Sequence, residues 1–396
     1  MRRIYLDNSA TTKIDKKVLE AMEPYLKEEF GNASSLHWFG QEAHNALSKA
    51  RGRVADFLGC NFLEVYFTGS ATVSDNLAIL GIIKATQKRG ITKPHVITST
   101  IEHPAVLEPI KYLEKTGEVE ATYLAVDKEG VVKIEDVERA IKENTVLVSI
   151  MYANNEIGTI QPIAQIGDWL KARNQKSEKK ILFHTDAVQA ANYLDCNVDK
   201  LGVDLLTLSG HKIYGPKGIG ILYKRKGVEI EPVVFGGHQE RGVAPGTENV
   251  AGIAGFGEAI EEIKNQELRI KNGEKIKKLR DKLIDGILKN ISGTDLNGSR
   301  EKRLPNNVNT SFKGVEGESI LMALDQKGVA VSTGSACASG SLDPSHVLMA
   351  LGVGVERAHS SIRFTLGKYN TESEINYVLK ILPGIIERLR KISPLK

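Results

Sequence analysis

The stretch Ser209-Gly210-His211-Lys212-Ile213-Tyr214-Gly215-Pro216-Lys217-Gly218 sets a lysine between an apolar run, Val203 to Leu208, and a glycine-rich turn. The run reads as a buried strand, with Lys212 expected at its inner end. A lysine is seldom placed there for stability. Desolvation lowers the pKa of an ammonium, and the neutral amine is a nucleophile suited to a Schiff base with a carbonyl compound, pyridoxal phosphate among them. Ser209 and His211 flank it as donors that a phosphate could use. Taken alone, a lysine beside glycines more often reaches out to water. The rest of the chain has to decide.

Outward from this segment, apolar β-branched runs alternate with helical patterns from about residue 15 to 260. Strands are expected at Glu64–Thr68, His95–Thr100, Ala121–Val126, Thr145–Tyr152, Ile181–Thr185, Asp204–Ser209 and Ile219–Tyr223. Helices are expected at Ala71–Thr86, Pro104–Lys115, Ile134–Lys142 and Ile163–Arg173. The alternation predicts an α/β fold, a mainly parallel seven-stranded sheet flanked by helices. Ligands of such sheets bind beyond the carboxyl ends of the strands. Thr72, His103, Asn155, Asp186 and Lys212 all fall within a few residues after an expected strand.

Beyond residue 262 the texture changes to a long charged helix with Ile276, Leu279, Leu283 and Ile287 on one face. Strands at Asn307–Phe312 and Ser361–Leu366 and helices at Glu318–Lys327 and Glu372–Lys391 make this part α+β. Two domains are expected: a large one over 15–262, and a smaller one formed by 1–14 with 263–396. Ile4 to Thr12 should pack on the second or bridge the two.

A chain of 396 residues, 41% hydrophobic and 26% charged, has the composition of an ordinary globular protein. The net charge of +4 and the absence of long like-charge runs leave no footprint for nucleic acid. No run is long enough to span a membrane and Met1 to Asp7 lacks a signal-peptide core, so the cytoplasm is the expected compartment. Three cysteines without C-x-x-C spacing argue against a disulfide framework or a metal site.

A pyridoxal enzyme needs a lysine, an acid for the pyridine nitrogen, phosphate donors and a group against the ring. Asp186 closes an apolar strand, where a carboxylate must be paired, although it could equally cap the next helix. Thr68-Gly69-Ser70-Ala71-Thr72 is a strand-to-helix turn rich in hydroxyls, fit either for simple capping or for cradling an anion. His103 precedes Pro104 at another strand end and could stack or move protons. Cys337 sits in Ser332-Thr333-Gly334-Ser335-Ala336-Cys337-Ala338-Ser339-Gly340-Ser341, a run without bulky side chains. It is either a surface thiol or a nucleophile delivered by its loop. Cys60 and Cys196 lie among apolar residues and read as structural.

With these residues together, the chain resembles the cysteine desulfurases of the class V aminotransferase family, fold-type I pyridoxal phosphate enzymes. The resemblance covers Tyr5-Leu6-Asp7-Asn8-Ser9-Ala10-Thr11-Thr12, Ile101-Glu102-His103-Pro104, Ala153-Asn154-Asn155-Glu156-Ile157-Gly158-Thr159, His184-Thr185-Asp186-Ala187-Val188-Gln189, the lysine segment and Ser335-Ala336-Cys337. The Cys337 loop is similar to that of the long-loop group. The resemblance implies that Lys212 binds pyridoxal 5'-phosphate and then acts as base. It implies that Asp186 pairs with the pyridine nitrogen, Gln189 bonds the ring hydroxyl and His103 stacks as acid/base. Ala71, Thr72, Ser209 and His211 would hold the phosphate, with Thr247 from the other subunit of a homodimer. Asn155 and Arg363 would grip the carboxylate of L-cysteine. Cys337 would take the sulfur as a persulfide for an acceptor, an iron–sulfur scaffold or tRNA-thiolation protein.

Two departures stand out. Gly69-Ser70 with Val73 replaces the usual Ser-Gly with a glutamate, and Ala244-Pro245-Gly246-Thr247 replaces Arg-Ser-Gly-Thr. The second removes a cation and stiffens the loop of Thr247. A related lyase or transaminase with a shifted substrate, or a scaffold paralogue with weakened chemistry, is the alternative these changes leave open.

Overall fold

The structure, a computed structural model, describes residues 3–333 and 343–394. Its larger sheet has seven strands in the order Val65–Thr68, Gly220–Lys224, Leu205–Ser209, Leu182–Asp186, Thr145–Ser149, His95–Ser99, Glu120–Leu124. Gly220–Lys224 runs antiparallel to both neighbours, and the other adjacent pairs are parallel. Leu205–Ser209 is buried at every position, as expected for a strand covered on both faces. Phe183, Leu206, Leu208 and Ile221 form the centre of the main core.

Lys212 lies just past the strand rather than at its inner end, where its sequence context places it. It ends a 3-10 turn, Gly210–Lys212, immediately after Leu205–Ser209. The reason is the chain reversal needed to return as the antiparallel strand Gly220–Lys224, which begins with Gly210 N donating to Ile219 O at 3.1 Å.

Two helices, Lys16–Lys27 and Trp38–Leu58, carry no clear signal in the sequence. The first contains Pro24, and the second buries mainly small residues, Ala43, Ala46 and Ala50, which dilute the apolar period. Both pack against Val250–Lys264. Gly59, in the left-handed region at φ 68°, closes the second helix.

A second core gathers Ile276, Leu279, Leu283 and Ile287 of the helix Gln266–Asn290 with Val308, Phe312, Ile362 and Phe364. A four-stranded antiparallel sheet backs it, ordered Ser332–Thr333, Ser361–Thr365, Asn307–Phe312, Thr294–Leu296. The N-terminal segment reaches both parts. Ile4–Tyr5 pairs in parallel with Val329–Ala330, Leu6 enters the second core, and Thr12 N donates to His211 O at 2.8 Å. Among the described residues no helix is long and apolar enough to cross a membrane.

Leu283 is fully buried in this second core. Leu283→Ala should lower the unfolding free energy by about 2–5 kcal/mol through lost transfer energy and a residual cavity, read from the denaturant midpoint.

Candidate active site

The loops at the carboxyl ends of the parallel strands enclose a cavity of about 350 Å³. Lys212, Asp186, His103, Asn155, Gln189, Ser209, His211, Ala71, Thr72 and Arg363 all line it. Thr247 does not. It is exposed, on the wall of an adjacent cavity of about 260 Å³ shared with Gly69, Val73, Ala244 and Pro245. Cys337 lies outside the described residues.

Lys212 Nζ donates to the carbonyl oxygens of Ser9 and Ala10, the second at 2.8 Å. The main chain around it is pinned as well. Asn192 Nδ2 donates to Lys212 O at 2.7 Å, and Thr12 Oγ1 to His211 O at 2.9 Å. Two residues on, Tyr214 has φ 63°, a conformation that costs a bulky residue energy and persists only where surroundings fix it. Tyr214 N donates to Thr12 Oγ1 at 2.8 Å, and its hydroxyl accepts from Lys368 N at 2.8 Å.

Asp186 accepts from Val188 N at 2.9 Å within a turn, and no helix begins there: the next, Val198–Leu201, is capped by Asn197, so the helix-capping role open to Asp186 in the sequence is not the one it fills. Burial pushes its carboxyl up to about 6, against the lowering by Val188 and Lys212. Behind it stands Asp75, which nothing in the sequence marks out. Burial, with Asp186 adjacent, raises Asp75 well above the ordinary range, and its carboxyl bonds Thr207. Two carboxylates this close cannot both be charged in an apolar surround, and Asp186, nearer Lys212, is the one held lower. A site with one buried anion of this kind calls for one cation against it.

His103 serves two ends. Its Nδ1 accepts from Ala105 N at 3.1 Å and so caps the helix Pro104–Lys115. Burial, Lys212 and His346 pull its pKa down to about 4, so the ring is neutral near pH 7 with its proton on Nε2. His211 is likewise held down to about 4 by burial and the neighbouring lysines, and its Nδ1 lies 3.2 Å from Thr11 Oγ1. Gln189 Nε2 donates to Ser9 O at 3.1 Å.

The anion-binding features sit at the start of the helix Ala71–Lys88. Ser70 caps it through Val73 N at 3.3 Å, and Thr68 Oγ1 donates to Ser70 O at 2.9 Å. Gly220 of the neighbouring strand approaches so closely that a Cβ there would lie 2.6 Å from the Ser70 carbonyl carbon. Free amides and the helix dipole face the cavity from this turn.

Arg363, only 1% exposed, pairs with Asp7 at 2.9 Å and donates to Asn155 O at 3.1 Å, while its Nε has no partner among the described residues. Asp7, Ser9 and Ala10 are visible in the sequence only as part of a motif, with no role attached. Their contribution is made largely by backbone carbonyls, which residue identity does not encode.

The chain as a whole matches a known family. The model for Aminotransferase class-V matches residues 4–378. A protein of Dictyoglomus turgidum described as "Cysteine desulfurase IscS" is 53% identical over all of this chain and 97% of its own length. A second "Cysteine desulfurase IscS", from Methanosarcina thermophila, is 50% identical over all of this chain and 94% of its own. A solved structure titled "NIFS-LIKE PROTEIN" superposes with a TM-score of 0.89 at 41% identity, covering 98% of this chain and all of its own. Another, "SspA in complex with cysteine", gives 0.79 at 36% identity over 93% of this chain and all of its own. The chain belongs to the class V aminotransferase family.

Glu102 offers a test of the buried electrostatics. It accepts from Ser99 Oγ at 2.5 Å and from Met151 N at 3.0 Å, and burial pushes it from 4.5 up to about 8. A raised folded pKa stabilises the fold fully below the unfolded value and loses that contribution as pH climbs through the folded one. The difference in unfolding free energy between wild type and Glu102→Gln should therefore fall from pH 4.5 to about 8, in urea titrations of both proteins. A difference independent of pH would contradict the assignment.

Proposed function

We propose that the chain is a pyridoxal 5'-phosphate-dependent cysteine desulfurase that converts L-cysteine to L-alanine and takes the sulfur as a persulfide on Cys337. The observation that carries this reading is the convergence of Lys212, Asp186 and Arg363 on one cavity. The residues fit the cofactor. Asp186 is a buried carboxyl that desolvation raises to about 6, and a protonated pyridine nitrogen beside it would favour its charged form. Thr72, Ser209, His211 and the amides from Ala71 onward would hold the phosphate, Gln189 the ring hydroxyl, and His103 the ring face.

When bound, the cofactor supplies an electron sink that labilises bonds at the α- and β-carbons of the amino acid. Arg363 and Asn155 orient the substrate carboxylate, with the arginine fork suited to bidentate contact. Asp7 already neutralises the guanidinium, so the substrate carboxylate has to share or displace that partner. Lys212 Nζ is the group that takes and returns a proton at the α-carbon, and the neutral His103 keeps a proton at Nε2 for a departing or arriving group. Cys337 closes the balance: the substrate Cβ–S bond breaks, an S–S bond forms, and the thiol hydrogen is formally replaced on the β-carbon of alanine. No external oxidant is needed.

Thr247, exposed and outside its own cavity, suits a phosphate contact made in the partner subunit of a homodimer. An iron–sulfur scaffold or tRNA-thiolation protein would receive the sulfur, and a cytoplasmic setting completes the reading. Incubation with L-cysteine should yield alanine, with the persulfide mapped to Cys337 by mass spectrometry. Lys212→Ala should lose the yellow absorbance of the lysine-bound cofactor and all turnover. Cys337→Ser should keep the colour yet form no persulfide, and identical behaviour of the two variants would refute the division of labour.

A further inference from the structure

Val65–Thr68 is an outer strand of the large sheet, and an outer strand leaves backbone groups that would attract another chain. Side chains satisfy them here. Phe67 N donates to Glu240 Oε2 at 3.0 Å, while Val65 O accepts from Arg51 Nη1 at 2.6 Å and Arg241 Nη2 at 2.7 Å. Arg51 and Glu240 form a two-bonded pair at 2.6 and 2.8 Å, with side chains only 8% and 4% exposed. Arg241 lies 3.9 Å above the Tyr66 ring and Arg51 4.9 Å from that of Phe67.

The backbone that presents Glu240 is held in an unfavourable shape. Glu240 and Arg241 have φ of 45° and 57°, and Gly242 comes next at 76°. Successive left-handed residues with side chains persist only when their surroundings over-determine them. The chain leaves this turn as Val243 to Thr247, and it leaves Phe67 as the turn Gly69–Thr72 at the phosphate end of the cavity. Residues of both segments line the same 260 Å³ space. A buried ion pair is a poor source of net stability, since desolvation offsets its attraction, so its presence here is better explained by geometry it imposes.

We propose that Glu240, clamped by Arg51, is a positioning residue that sets the register between the Gly69–Thr72 turn and the loop carrying Thr247. The two phosphate-facing segments are thereby adjusted as one unit. The phosphate part of this claim rests on the pyridoxal phosphate reading above; the coupling of the two segments does not.

The test compares wild type with the double variant Arg51→Met/Glu240→Leu, which removes both charges together and avoids stranding one, and with Arg51→Lys, which keeps the charge but not the fork. Amide hydrogen exchange is followed in the cofactor-free proteins, and pyridoxal phosphate is titrated by its absorbance. The double variant should fold but melt a few degrees lower, since Phe67 N loses its acceptor, exchange faster at 65–70 and 240–247, and bind the cofactor about tenfold more weakly. Arg51→Lys should shift both readouts the same way by less. Wild-type exchange and affinity in a folded double variant would overturn the proposal, as would both in Arg51→Lys if the double variant fails to fold. A wild-type protein that binds no pyridoxal phosphate would sink the cofactor reading alone, because exchange still decides the coupling.

Discussion

The contact on which the site depends is the seating of Lys212 against the backbone of residues 9–12. Its ammonium is met by the carbonyls of Ser9 and Ala10, and its turn is pinned by Thr12. The same short segment begins in the second core and supplies Asp7 to Arg363. Cation, turn and arginine are therefore referred to one piece of chain. A displacement of that piece would disturb the contacts of Lys212 and Arg363 together.

Around this frame the charges are rationed by burial. Asp75, Asp186, Glu102 and Glu156 are all buried and all raised, Glu156 to about 7, while His103, His184 and His211 are lowered. Desolvation is the leading cause throughout, so the cavity resists new net charge of either sign. On the proposed reading, Asp186 would meet the cation of a cofactor ring and Arg363 the carboxylate of a substrate.

Much of this is readable without the fold, for identifiable reasons. The strand periods are strong because the parallel sheet is buried on both faces, and strand ends therefore locate Thr72, His103, Asn155, Asp186 and Lys212 on one rim. Arg363 and Gln189 come only through the family resemblance. The turn at Lys212 is hidden because a chain reversal is set by the pairing of Gly220–Lys224, a non-local fact. Asp75 is hidden because it sits one turn into a helix among small residues, where its sequence context marks it as ordinary. Glu240 is hidden for a third reason: its work is to satisfy a sheet edge whose position no local pattern reveals.

The placement of Cys337 in the chain bears on how a thiol can serve a distant amine. On one side, Ser332 pairs across strands with Arg363. On the other, Ser345 Oγ donates to Glu156 Oε2 at 2.5 Å, and His346 Nε2 lies 3.0 Å from Glu102 O, next to His103. Both anchors of the intervening segment are walls of the catalytic cavity or their immediate supports. Three residues lie between Thr333 and Cys337, four steps along the chain, which span at most about 14 Å at full extension. Under the proposed function, the segment that carries Cys337 is joined by chain connectivity to two places beside the cavity, and delivery of its thiol would be intramolecular. Under that reading, proximity of this kind would offset the small thiolate fraction of an ordinary cysteine, and the attachment of the flanking residues Ser332 and Ser345 would matter more than activation of the sulfur itself.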